Sequence, residues 1–99
     1  MTRVRFSSRA AHDIAEIGAY IAKDNESISK DFISRIRKKC RSFSATPLIG
    51  RKCEEFGAGV RVFPFGNYLI FYRLLKTEIV ITRVIHGARN LFEALGQES

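Results

Sequence analysis

Cysteine, histidine and proline are scarce in this chain, with two of each in 99 residues. The thiols of Cys40 and Cys53 allow one bridge at most, and neither they nor His12 and His86 stand at zinc-site spacing, so a disulfide scaffold and a metal centre are set aside. Free thiols are expected. No apolar run exceeds six residues, far short of the ~20 that a membrane span requires. The opening Met-Thr-Arg-Val-Arg lacks the apolar stretch of a secretory signal. No segment repeats another and none is of low complexity. The expectation is one soluble, cytoplasmic domain over residues 1–99, with no membrane partner, cofactor or metal.

Acidic residues are also short, 10 against 17 Lys and Arg, leaving a net charge of +7. Such a surplus favours an acidic protein or a nucleic acid as partner. What the chain does have is core material: 45% hydrophobic and 11% aromatic residues, enough to exclude a disordered chain.

Hydrophobic period divides the sequence into elements. Thr2 to Phe6 alternates like a short, half-buried edge strand. Ser7 or Ser8 can cap a helix to about Lys23, whose apolar stripe is Ala11, Ile14, Ile17, Gly18 and Ile21. Asp24-Asn25-Glu26 breaks it, and Ser27 is the expected cap of a second helix striped by Ile28, Phe32, Ile33, Ile36, Cys40 and Phe43. The other face of that helix carries Lys30, Arg35, Lys38, Lys39 and Arg41. So short a break makes the two helices an antiparallel hairpin. Pro47 and Gly50 end this half, and Gly50 to Gly59 reads as a loop. Beyond it the period falls to two: Val60 to Pro64, Asn67 to Leu75 and Glu78 to His86 are predicted strands, joined by two-residue turns at Phe65-Gly66 and Lys76-Thr77. The tail from Gly87 can form one or two amphipathic helical turns through Leu91, Phe92 and Leu95. The fold class is α+β: a strand, a helical hairpin, then a three-stranded antiparallel meander.

Those turns pair Arg61 with Ile70, Phe63 with Tyr68, Tyr72 with Ile81 and Ile70 with Arg83. Val60, Val62, Leu69, Phe71, Val80 and Val84 then share one face with Arg73, Thr82 and His86. Arg61, Phe63, Tyr68, Ile70, Tyr72, Leu74, Ile79, Ile81, Arg83 and Ile85 share the other. The helices are expected on the first, plainer aliphatic face. The second, mixing aromatic rings with arginines as interface hot spots do, is expected to be an exposed patch that a partner covers. A bulged second turn would slip the register and swap the arginines between faces.

Two segments, Val60-Arg-Val-Phe-Pro-Phe-Gly-Asn-Tyr-Leu-Ile-Phe-Tyr-Arg73 and Ile81-Thr-Arg-Val-Ile-His-Gly-Ala-Arg89, resemble the RelE/ParE superfamily of bacterial toxins, and its ParE branch more than its RelE branch. The likeness extends to Tyr20-Ile21-Ala22, the basic second helix and Pro47 to Arg51. It implies the toxin half of a type II toxin-antitoxin pair, held in a hetero-oligomer with an acidic, ParD-like antitoxin. ParE-type toxins act on DNA gyrase and stop replication, so any contact with nucleic acid would be indirect. RelE-type toxins cut messenger RNA in the ribosome with clustered basic residues and often a C-terminal Tyr or His, which activate the ribose hydroxyl and stabilise phosphate charge.

This chain departs from the cutting set. Arg61 can stand for one basic residue, but Phe63 follows it on the same face, and no tyrosine follows Tyr72. The resemblance therefore implies a non-enzymatic toxin whose target- or antitoxin-binding residues are Arg61, Phe63, Tyr68, Tyr72, Arg83, His86 and Arg89. The alternative is an mRNA endonuclease using Arg61, Arg83 and His86. Set against these roles, the arginines can be solvated or ion-paired to Glu54, Glu55 or Glu78, and His86 can hydrogen-bond backbone where its strand ends. One departure is internal to the ParE branch: Gly18-Ala19 stands where many such chains carry a large aromatic ring before Tyr-Ile-Ala.

Overall fold

The computed structural model describes residues 2–87. Ser7 organises the start of the fold. Its hydroxyl accepts from the Ala10 N–H at 3.0 Å and so caps α1 (Ser8–Ala22), and it donates to the Thr82 carbonyl at 3.2 Å. Its own N–H donates to the Ile81 carbonyl. One residue thus ends β1 (Arg3–Phe6), starts the helix and ties both to the last strand.

The second helix, α2 (Glu26–Ser42), is capped by Asn25 and not by Ser27: the Asn25 side chain accepts from the Ile28 N–H at 3.0 Å. Asn is as good a cap as Ser, and the N–H groups of Asp24 and Asn25 both close back on the Ile21 carbonyl, which places the new helix two residues earlier. Gly18 lets the helices close on each other. The Ser29 hydroxyl donates to its carbonyl at 2.7 Å, and a Cβ built there would lie 2.6 Å from Ile33 Cδ1. A larger side chain at Gly18 would have to displace the Ile33 side chain.

The sheet has five strands in the order β1-β5-β4-β3-β2, with β2 at Arg51–Lys52, β3 at Val60–Phe65, β4 at Tyr68–Leu74 and β5 at Glu78–His86. The meander is antiparallel as expected, while β1 adds to β5 in parallel. Within the expected loop, β2 pairs Arg51 with Val62 and Lys52 with Arg61, and a 3-10 turn follows at Glu54–Phe56. Two residues are too few for a period to be legible.

Two registers differ from expectation. The first turn is Gly66-Asn67, with Phe65 opposite Tyr68 and Arg61 opposite Tyr72. Gly66 supplies the positive φ of 58° that a hairpin of type II′ needs at its first turn position. This slip is by two, so the faces of β3 and β4 are unchanged. The second difference is a bulge: Tyr72 faces Ile81, but Phe71 faces Arg83, leaving Thr82 unpaired in β5. Its hydroxyl donates to the Phe71 carbonyl at 3.1 Å. Beyond the bulge the faces swap, so Val84 joins Ile70 and Tyr72, whereas Arg83 and Ile85 leave the face of Arg61. Arg61 and Arg83 are not on one face.

The helices cover the aromatic face, contrary to the expectation that they cover the aliphatic one. Ala10, Ile14, Phe32, Ile36, Cys40 and Phe43 pack on Ile70, Tyr72, Ile79, Ile81 and Val84. The reason is ring complementarity. Phe43 stacks on Tyr72 at 4.5 Å and meets Phe63 edge-on at 5.5 Å, while Phe32 lies 5.1 Å from Tyr68 and 6.0 Å from Phe65. The opposite face holds Val60, Val62, Leu69 and Phe71 with Cys53, and Phe56 from the 3-10 turn meets Phe71 edge-on at 5.1 Å. Cys53, Val60, Val62, Leu69 and Phe71 are buried and Phe56 is half-exposed above them, so the expected broad exposed apolar face is absent among the described residues. The helical turns expected at Leu91 to Leu95 lie outside the described residues.

Candidate functional site

Arg61 and Tyr72, neighbours across β3 and β4, both serve the loop after α2. The Tyr72 hydroxyl donates to the Pro47 carbonyl at 2.9 Å and accepts from the Gly50 N–H at 2.8 Å. Arg61 Nη1 donates to the carbonyls of Gly50 at 2.6 Å and Leu48 at 3.2 Å. The Tyr72 ring is fully buried, and that burial pushes its phenol up, against the pull of the Gly50 N–H and Arg61. These two predicted site residues thus shape a loop from beneath.

Arg83 is held at the opposite edge. β1 stops opposite Ile81, so the outer edge of β5 would present bare N–H groups from there on. Asp13, carried on the buried side of α1, takes that place. Its carboxylate accepts from the Val84 N–H at 2.9 Å and receives Arg83 at two points, Nε at 2.8 Å and Nη2 at 3.3 Å, with Arg9 at 3.8 Å. The guanidinium therefore spends its two-point face on an internal acid.

The structure does bring Tyr68 and His86 together. They are paired across β4 and β5, the rings edge-to-face at 5.2 Å. With Glu16, Ile17 and Tyr20 of α1 they line a shallow hollow of about 290 Å³, and Tyr20 is 70% exposed. Burial pushes the Tyr68 phenol up, and Tyr20 adds to the effect, which favours a neutral hydroxyl donor over a base. Arg61 stands two strands and four residues from His86, roughly 16 Å at ordinary strand spacings. The three residues of the nuclease alternative do not form a cluster. Arg89 lies outside the described residues.

Phe63 closes the hairpin side of the core beneath Lys39, whose Nζ sits 5.2 Å from its ring centre. Arg35 over Phe65 and Arg37 over Phe6 repeat the arrangement along α2, so the basic face of this helix is laid on aromatic rings. On the far side of the sheet, Phe56, Val60, Phe71, Arg73, Thr82, Arg83 and Ile85 line a groove of about 290 Å³. Among the described residues no cluster of three or more His, Cys, Asp or Glu side chains is placed to hold a metal, and no helix is long and apolar enough to cross a membrane.

Asp13 escaped sequence reasoning, although a signal existed. It falls three residues after Ala10 and four before Ile17, on the apolar stripe of α1, where a carboxylate must find a partner. Leu48 and Ile49, exposed on the loop between α2 and β2, had no periodic signal at all.

Comparison with known proteins agrees with this architecture. A family model described as the ParE toxin of type II toxin-antitoxin system, parDE, matches residues 4–91. Toxin ParE3 of Caulobacter vibrioides is 31% identical over 67 residues, covering 68% of this chain and 67% of that protein. Among solved structures, a chain of the chromosomal ParDE system from P. aeruginosa superposes with a TM-score of 0.75 at 21% identity, over 88% of this chain and 97% of its own. A chain of the toxin-antitoxin complex RelBE2 from Mycobacterium tuberculosis gives 0.64 at 25% identity, over 86% and 96%.

Proposed function

The chain belongs to the ParE toxin family of type II toxin-antitoxin systems, and from that premise we propose that it arrests growth by binding DNA gyrase in the cytoplasm, without catalysis of its own. The observation that carries this reading is the employment of the arginines. A phosphodiester-cutting site needs cations free to meet developing phosphate charge and a base within hydrogen-bond reach. Arg61 is occupied by the Leu48 and Gly50 carbonyls and Arg83 by Asp13, and Phe63 stands between Arg61 and the Tyr68–His86 end. A shaped protein surface, by contrast, needs no titrating group.

In the resting state the toxin is held by an acidic, ParD-like antitoxin. The net charge of +7 and the basic face of α2 support a partner of opposite sign. Arg61, Phe63, Tyr68, Tyr72, Arg83, His86 and Arg89 remain the residues through which the target or the antitoxin is met, Arg61 and Tyr72 acting through the loop they hold.

A second reading keeps one specific support. The likeness to a RelBE2 chain at 25% identity, together with the Tyr68–His86 pair, is what a ribosome-dependent mRNA endonuclease would draw on. Purified chain added to gyrase and relaxed plasmid separates the two. Loss of supercoiling or accumulation of cleaved plasmid is expected. Unchanged supercoiling at excess toxin, with codon-spaced cuts in a translation extract that vanish in His86→Ala, would replace the first reading by the second.

A further inference from the structure

The loop that Arg61 and Tyr72 grip carries two large aliphatic side chains in the open. Leu48 is 64% exposed and Ile49 is 49% exposed. Isolated exposed apolar residues are ordinary, but an adjacent pair on a loop fastened from below is not. The backbone on both sides of the pair is fixed. Pro47 and Gly50 are joined through one buried hydroxyl, that of Tyr72, the Leu48 and Gly50 carbonyls accept from Arg61, and the Ile49 N–H donates to the Thr46 carbonyl at 3.1 Å. The Tyr72 ring beneath is stacked on Phe43, so the fastening is anchored in the core itself. Gly50 leaves no slack: a Cβ there would fall 2.7 Å from the Tyr72 hydroxyl.

Such a loop has paid its ordering entropy before any partner arrives, which is what a binding anchor gains from preorganisation. Its surroundings narrow the partner. Arg51 and Lys52 follow the pair in β2, exposed and without an ion-pair partner among the described residues, while Glu54 and Glu55 come only in the 3-10 turn beyond β2. We propose that Leu48 and Ile49 are the anchors with which the toxin seats itself in a preformed apolar cleft, rimmed by carboxylates, on its folded protein target. A rigid protruding pair suits a concave surface that already exists. A segment that folds on binding brings its own protruding side chains and needs a groove to receive them. The proposal rests on reading the chain as a toxin with a protein target, and not on which protein that is.

The test is the full chain carrying Leu48→Ser and Ile49→Ser together. Both side chains are exposed, so the melting temperature should move by no more than about 3 °C. Growth arrest on induction in a bacterial host should be lost, and the affinity for purified gyrase should fall at least ~100-fold, as loss of hot-spot anchors does. A coexpressed cognate antitoxin should still be captured at full strength. Tyr72→Phe keeps both anchors and the core ring but releases the loop, and should cost growth arrest roughly tenfold in potency. Leu48→Met with Ile49→Val should restore it. A folded double serine variant that arrests growth as well as the wild type overturns the proposal, and so does one that loses antitoxin capture as severely as arrest. If the wild type arrests growth without touching gyrase and the double variant does not arrest, the gyrase reading fails and the anchors stand.

Discussion

Asp13 and Arg83 lie 70 residues apart in sequence and meet at 2.8 Å, and the same carboxylate oxygen accepts the Val84 N–H at 2.9 Å. A single side chain of the first helix therefore closes the open edge of the last strand and fixes the direction of an arginine that sequence alone would offer to a target.

Removing that carboxylate should be costly and removing its partner much less so. Asp13→Ala leaves the Val84 N–H bare and the guanidinium unpaired, while Arg83→Ala leaves Asp13 its hydrogen bond from Val84 and its ion pair with Arg9. Breaking a fully buried pair costs about 3–5 kcal/mol. The Arg83 side chain is 40% exposed, and solvent screening reduces this to about 2–3 kcal/mol for Asp13→Ala and about 1 kcal/mol for Arg83→Ala. Urea unfolding of the two variants and their double mutant checks the asymmetry, and equal losses would contradict it.

Gly50 is predicted to tolerate no side chain, for reasons of space alone. A methyl group there would press on the Tyr72 ring at 2.7 to 3.0 Å, and that ring sits at the centre of the core and cannot withdraw. Gly50→Ala should lose about 1–3 kcal/mol, together with the hydrogen-exchange protection of the Gly50 amide. A variant as stable as the wild type would show that the loop is looser than described.

Cys40 is buried against the helix hairpin, and burial pushes its thiol up to about 12 even with Arg37 and Arg41 pulling the other way. Only a thiolate reacts readily. Iodoacetamide at pH 8 should leave Cys40 unmodified in the folded chain and alkylate it fully in denaturant, as peptide mass analysis would reveal. Rapid native labelling would contradict the packing of α2.

Much of this architecture is legible in the sequence, because α1, α2 and the meander each have a clear period and short connections. What is not legible has physical causes. The faces of the last strand are not legible because one bulged residue, Thr82, reverses every side chain after it, and a bulge inside a strand leaves no mark on composition. The choice of face by the helices depends on rings meeting rings, Phe43 on Tyr72 and Phe32 on Tyr68, which a stripe of apolar positions does not specify. Arg61 and Tyr72 stand out in sequence as candidates for a target surface, yet their polar atoms are turned to the Pro47–Gly50 backbone. Side chains that bond backbone far away in the chain cannot be read from spacing.

The acid limb of stability has a local contributor at the sheet edge. Glu78 is held below the ordinary carboxylate range chiefly by its hydrogen bond from Arg5; desolvation opposes this, and the charges of Arg5 and Arg3 add smaller favourable contributions. A carboxyl depressed in the folded state stabilises above its unfolded pKa of about 4.3 and loses that contribution as pH falls through the folded value. Glu78→Gln should therefore flatten the fall in stability below about pH 4.3 and leave the curve above pH 6 parallel to the wild type. An unchanged acid limb would mean that the Arg5–Glu78 pair is not formed in solution.

Binding against cutting is decided most directly inside one culture. After brief induction of the toxin, plasmid topoisomers and total RNA taken from the same cells report on gyrase and on messenger together. Relaxed or cleaved plasmid beside intact messenger is the predicted result. Normally supercoiled plasmid beside messenger cut at codon spacing, with the cuts lost in His86→Ala by the ~10²–10⁴-fold that removal of a general acid or base entails, would contradict it.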